Sequence, residues 1–214
     1  MGETFVLVHG TWHGGWAWVA VIRELSRKGH RAHAPTLAGH GPGAMRKGIT
    51  HQDCVASVVA YMDQRGLEDV ILVGHSFGGT VVQKLAEQLP NQIRRTVFLD
   101  ALVLKDNERV FDILPDVFLD TLTPRDGNGP VATSPDDTMQ IPPWETWLKR
   151  FYSLALPSSF IYCRHDRAMP SGYFHPGMSS RLGAFKLLEM DGSHEVMFTR
   201  PAELAAKILE ACRE

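Results

Sequence analysis

The sequence predicts an α/β protein with a mostly parallel sheet. Three observations carry this prediction. Short apolar runs alternate with amphipathic stretches along the chain. The runs are apolar throughout rather than at every second residue, as strands covered on both faces are. One run, "VILVGHSFGG" (70–79), ends abruptly in a histidine, a serine and two glycines. A core strand has no packing use for such an ending.

The elements follow in order. "TFVLVH" (4–9) reads as the first strand. "WAWVAVIRELSRKGH" follows with apolar residues at helical spacing and Gly29 as a stop. "RAHAP" is a second short strand. "THQDCVASVVAYMDQRG" opens on Thr50 with Asp53 three positions on, close to a capping box, and ends at Gly66. "DVILVG" is the third strand, and "GTVVQKLAEQLP" a helix stopped by Pro90. "IRRTVFLD", "SSFIYC" (158–163) and "AFKLLEM" (184–190) supply three more strands. "RPAELAAKILEACRE" closes the chain as a helix with Pro201 in its first turn. Strands and helices alternating at this spacing imply right-handed crossovers, with helices on both faces of the sheet.

One region breaks the rhythm. Residues 103–157 are rich in Pro, Asp and Gly, and aromatic residues surround their most loop-like part, "TPRDGNGPVATSPDDT". This reads as a lid inserted into a single core made of residues 1–102 and 158–214. The 214 residues, 44% hydrophobic, suffice for one such core. A net charge of -2 provides no field to attract nucleic acid or an acidic membrane. No run approaches the roughly 18 apolar residues of a membrane span, and the N-terminus lacks the pattern of a signal peptide. Cys54, Cys163 and Cys212 show no CxxC spacing, so they read as free thiols in a reducing compartment. A cytoplasmic protein is expected.

Gly74-His75-Ser76-Phe77-Gly78 is a G-x-S-x-G motif between a strand and a helix, the setting of a nucleophile elbow. So sharp a turn needs neighbours almost without side chain, and Gly74, Gly78 and Gly79 supply them. A serine hydroxyl attacks only when a base takes its proton. "LLEMDGSHEVMF" offers His194, four residues past the last strand. "FIYCRHDRAMP" offers Asp166 to orient the imidazole, with Asp100 at the end of "VFLDA" as a rival that could instead cap the turn entering the lid. The ten histidines raise the question of metal. His9 and His13 lie four apart on a loop rather than a helix, so no metal site is expected. His30, His33 and His51 read as surface or packing positions. The backbone N–H of Phe77 is the first expected oxyanion donor, and the glycine-rich loop "HGTWHGGW" the source of the second.

These stretches resemble the α/β-hydrolase superfamily, in particular its branch of plant methylesterases, salicylic acid-binding protein, hydroxynitrile lyases and bacterial relatives. "FVLVHGTWHGGWAW", "APTLAGHG", "VILVGHSFGG", "FIYCRHD" and "MDGSHEVMFTRP" carry the resemblance. It implies an α/β-hydrolase fold with strand order 2-1-3-4-5-6, a triad of Ser76, His194 and Asp166, and oxyanion donors at the N–H groups of Thr11 and Phe77. Hydroxynitrile lyases of this branch carry Thr after the first-loop histidine and Lys after the catalytic one. Gly10 and Glu195 stand there instead, so cyanide elimination loses both helpers. Family members are often dimers, which makes a homodimer an expectation.

The combined expectation is a serine esterase cleaving a small, mostly apolar ester through an acyl-enzyme. It needs no metal and no organic cofactor, and has no nucleic-acid or membrane partner. Trp12, Phe111, Trp144, Trp147 and Phe151 are candidate pocket walls or lid core. Amide, carbamate or lactone cleavage and acyl transfer would use the same apparatus. A ligand-binding protein with slow turnover is the alternative from another class.

Overall fold

The computed structural model describes residues 2–44, 49–115 and 148–213. The sheet has six parallel strands in the order β2-β1-β3-β4-β5-β6. The strands are β1 (Thr4–Val8), β2 (Arg31–His33), β3 (Val70–His75), β4 (Ile93–Leu99), β5 (Ser158–Cys163) and β6 (Lys186–Met190). Every residue of β1 and β3 is buried, which is why both read as continuous apolar runs. β2 and β6 start or stop a few residues inside the stretches the sequence marks. Both lie at the sheet edges, where one neighbour is missing and pairing ends early.

Helix α1 (Val19–Arg27) and a C-terminal helix pack on one face. Helices α2 (His51–Gln64) and α3 (Gly78–Gln88) pack on the other. Each side has its own apolar core. Phe5, Leu7, Trp18 and Leu25 anchor the first; Leu72, Val81, Leu85 and Phe98 anchor the second, all fully buried. Burial of each such side chain contributes about 1.5–3 kcal/mol. The capping box on α2 is complete: the Thr50 hydroxyl accepts the Asp53 N–H, and the Asp53 carboxylate accepts the Thr50 N–H. Beyond a single-turn helix α4 (Val110–Ile113) and, past β6, a short α5 (Val196–Thr199), the chain ends in α6 (Pro201–Ala211) with Pro201 in its first turn.

The segment after β4 is fastened to α3. Gln83, fully buried, donates to the carbonyl of Leu104 at 3.0 Å and accepts its N–H at 2.8 Å. Further along, Glu87 Oε1 accepts the N–H groups of Lys149, Arg150 and Phe151 at 2.6, 2.7 and 3.0 Å. Burial disfavours the Glu87 charge, but these donors and Lys84 hold its carboxyl below the usual range. Phe151 is buried edge-on against Phe98 and belongs to the core. Trp144 and Trp147 lie outside the described residues, as does the side chain of Phe111.

Candidate active site

β3 stops at His75, and Ser76 follows with φ of 52° before α3 begins at Gly78. A side chain at positive φ is strained by about 1–3 kcal/mol, so the surroundings must impose it. The Ser76 N–H donates to the Leu99 carbonyl at 3.2 Å, and its carbonyl accepts the N–H groups of Gly79 and Leu102 at 3.1 and 2.9 Å. The flanking glycines are obligatory. A Cβ on Gly74 would lie 2.7 Å from the Gly78 carbonyl oxygen, and one on Gly78 would lie 2.6 Å from that of Val8. The half-buried Ser76 thus stands at the N-terminal end of α3, where the helix dipole favours negative charge.

His194 comes from the loop after β6. Its Nδ1–H donates to Asp166 Oδ2 at 2.6 Å. Asp166 follows β5, and its Oδ1 accepts the Ala168 N–H at 2.8 Å. Donation from Nδ1 leaves Nε2 as the ring's acceptor. Two contacts set the ring plane. Phe174 stacks on it at 5.2 Å between centroids, and His75 lies 4.5 Å away on a tilted plane. His75 Nε2–H donates to the His194 carbonyl at 3.0 Å, so the elbow's second residue ties β3 to the histidine loop. Complete burial pushes His75 well below the usual histidine range, which keeps it neutral beside His194.

Ser76 and His194 line one cavity of about 250 Å³. Thr11, Trp12, Met169 and Ala168 share its walls. Trp12, expected as a pocket wall, lines it and is 56% exposed. Phe151 does not. The Phe77 side chain packs inward against the rings of His40 and His51, leaving its backbone as the part near Ser76.

Several site residues take roles that the sequence reading did not give them. His13 and Glu195 line the cavity, with Nε2 and Oε2 3.2 Å apart. Adjacency of Glu195 to His194 was the available signal for that pair. His9 is buried: it donates from Nδ1 to the Gly10 carbonyl and accepts the Leu37 N–H on Nε2, at 2.7 and 3.0 Å. Desolvation pushes it down to about 3, so it is a fixed neutral staple under the Thr11 loop. Asp100 does not cap the turn that follows it. It is fully buried and both its oxygens lie 3.1 Å from the Cys163 N–H. Burial, then the neighbouring Asp166 charge, pushes its carboxyl well above the usual range.

A parallel sheet with a serine on a strained strand–helix bend, facing a histidine loop from beyond the last strand, defines a hydrolase of the α/β class. The chain belongs to the alpha/beta hydrolase family, whose model matches residues 5–207. It is similar over 99% of its length to an extracellular α/β-hydrolase from a Paenibacillus species, with 35% identity, all of that chain covered and a TM-score of 0.81. That protein is described as sharing structural and functional homology with tobacco salicylic acid binding protein 2. A carbendazim hydrolyzing esterase from Nocardioides sp. (strain SG-4G) is 40% identical over 113 residues, 52% of this chain and 47% of that protein. Methylesterase 7 of Arabidopsis thaliana is 27% identical, with 97% of this chain and 95% of that protein covered. Esterases thus recur among the relatives.

Proposed function

We propose that this chain is a serine carboxylesterase acting on small, mostly apolar esters, with Ser76 as nucleophile, His194 as general base and Asp166 as its orienting acid. The observation that carries the reading is the 2.6 Å hydrogen bond from His194 Nδ1 to Asp166, made by a ring that shares one cavity with the strained Ser76.

His194 Nε2 takes the Ser76 proton as Oγ attacks the ester carbonyl carbon. The C–O π bond opens and its electron pair moves onto oxygen. The N–H groups of Thr11 and Phe77 receive that oxyanion, aided by the positive end of α3. His194 then protonates the leaving alcohol as the tetrahedral intermediate collapses to the acyl-enzyme. Water, deprotonated by the same ring, releases the acid. Asp166 accepts the Nδ1–H and so holds the imidazole in one tautomer. The residues from 103 to 157 act in this reading as a lid over the acyl and alcohol groups.

The cavity is at the small end of ligand sites, which supports a compact substrate. Trp12, Ala168 and Met169 support apolar flanking groups. An active-serine phosphonate followed by peptide mass spectrometry tests the nucleophile. Labelling of Ser76 is expected, with Ser76→Ala folded and inactive. Folded protein that leaves Ser76 unmodified overturns the reading. A matched panel of ester, carbamate, amide and lactone then ranks the bond cleaved. A stoichiometric burst without turnover on every ester would mark a binder.

A further inference from the structure

The proposed triad uses one carboxylate, yet a second lies beside it. The acidic oxygens of Asp100 and Asp166 and a ring nitrogen of His194 all lie within 4.8 Å of one another. A protonated member of the pair has the other carboxyl as an acceptor within that cluster. Two carboxylates have no proton between them to share, so one of the pair must be the acid.

Their surroundings decide which. Asp166 accepts the Ala168 N–H and the His194 Nδ1–H, two donors that stabilise its charge. Asp100 is fully buried just past β4, at φ of 35°, and its one other partner is the Cys163 N–H. The titratable groups that face the pair are the Cys163 thiol and Tyr162 from β5, Tyr173 and His175 from the following turn, and His194. Arg164 is engaged at the surface by Glu189 and Asp191. Among the described residues no Lys or Arg pairs with either carboxyl, so nothing offsets a second buried anion.

We propose that Asp100 is a positioning residue: it keeps its proton at neutral pH, donates its O–H to Asp166, and makes the acid behind His194 a two-carboxyl unit with a single negative charge. Asp166 is then held by three donors from three elements: the Ala168 N–H, the His194 ring and the Asp100 hydroxyl. Its carboxylate plane is fixed before any substrate arrives. The left-handed backbone at Asp100 is the conformation in which its carboxyl meets the end of β5. The inference rests on the reading of His194 and Asp166 as catalytic, but the proton can be detected without turnover.

Difference infrared spectroscopy at pH 8 between wild type and D100N tests it directly. A protonated carboxylic acid band that shifts in heavy water is expected in wild type and absent from D100N. No such band in wild type, or one that survives in D100N, overturns the proposal. Kinetics give a second reading. D100A is expected to lower kcat about 10- to 100-fold at unchanged KM. D100N, whose amide N–H replaces the lost donor, should recover most of that loss. Equal kcat for D100A and wild type, or no rescue by D100N in folded protein, would refute the positioning role. Phosphonate labelling of wild type separates the two readings: an inert Ser76 with the acid band present sinks the esterase and leaves the carboxyl pair standing.

Discussion

His51 offers a quantitative test of how this fold responds to acid. The side chain is buried, and its Nε2–H donates to the Thr80 hydroxyl at 2.9 Å. Burial pushes it from 6.5 down to about 3, and does the same to His9. Below about pH 6.5 an unfolded chain protonates these rings while the folded one does not. Their contribution to stability is therefore complete above that pH and is lost as pH falls toward 3. Between pH 7 and 5 each such histidine removes about 2 kcal/mol. His75, held neutral by the same cause, acts in the same direction. Asp100 acts in the opposite one. Its raised carboxyl keeps a proton that the unfolded chain releases, which offsets part of this loss. His51 and His9 alone account for about 4 kcal/mol of pH-dependent loss, a large share of the 5–15 kcal/mol typical of a domain. His51→Gln keeps a donor for Thr80 but does not titrate, so about 2 kcal/mol of the pH-dependent loss should disappear. Urea unfolding followed by circular dichroism at pH 7, 6 and 5 measures it. The comparison is of pH dependence, not of absolute stability. The same loss from pH 7 to 5 in both proteins would refute the argument.

Other outcomes follow from the same geometry. Gly78→Ala puts a Cβ 2.6 Å from the Val8 carbonyl oxygen and 2.7 Å from that of His9, so β1 or the elbow must move. Hydrolysis should fall about 100-fold, and phosphonate labelling at the wild-type rate would contradict this. Glu87→Ala strands three backbone N–H groups and should cost about 3 kcal/mol or more, with Glu87→Gln milder. Because the Glu87 carboxyl is held low, its contribution is present above the usual carboxylate range and fades as pH falls through its folded value. Chemical denaturation at pH 7 and 4 checks both statements. Asp166→Asn should lower kcat about 1,000- to 10,000-fold, far more than Asp100→Asn. The reverse order would move the orienting acid to β4.

Much of the architecture could be read in advance because it is written locally. Val6 to Val8 and Ile71 to Val73 are buried on both sides, so their apolar runs carry no alternation. Thr50 with Asp53, and Pro201, mark helix starts through contacts within one turn. The unread part depends on neighbours far apart in the chain. Asp100 meets the N–H of Cys163, 63 positions away, across the β4–β5 pairing. His13 meets Glu195 only after the first and last loops converge. Phe151 read equally as pocket wall or lid core because it sits in an aromatic-rich stretch, and only its packing on Phe98, far off in sequence, places its ring in the core. His51 shows no outward sign of its depth in sequence, since its partner Thr80 belongs to the next helix.

The paired clamps on α3 have an evolutionary corollary. Gln83 grips the outgoing strand of chain at Leu104, and Glu87, one helical turn on, grips the returning one at 149–151. Both handholds belong to the rod whose first residues shape the serine bend. The stretch bridging them can therefore change in length and wording while both of its ends stay tied to the helix that carries the serine bend. On the proposed esterase reading, with that stretch as its lid, new substrate preferences can arise by exchanging one interchangeable module.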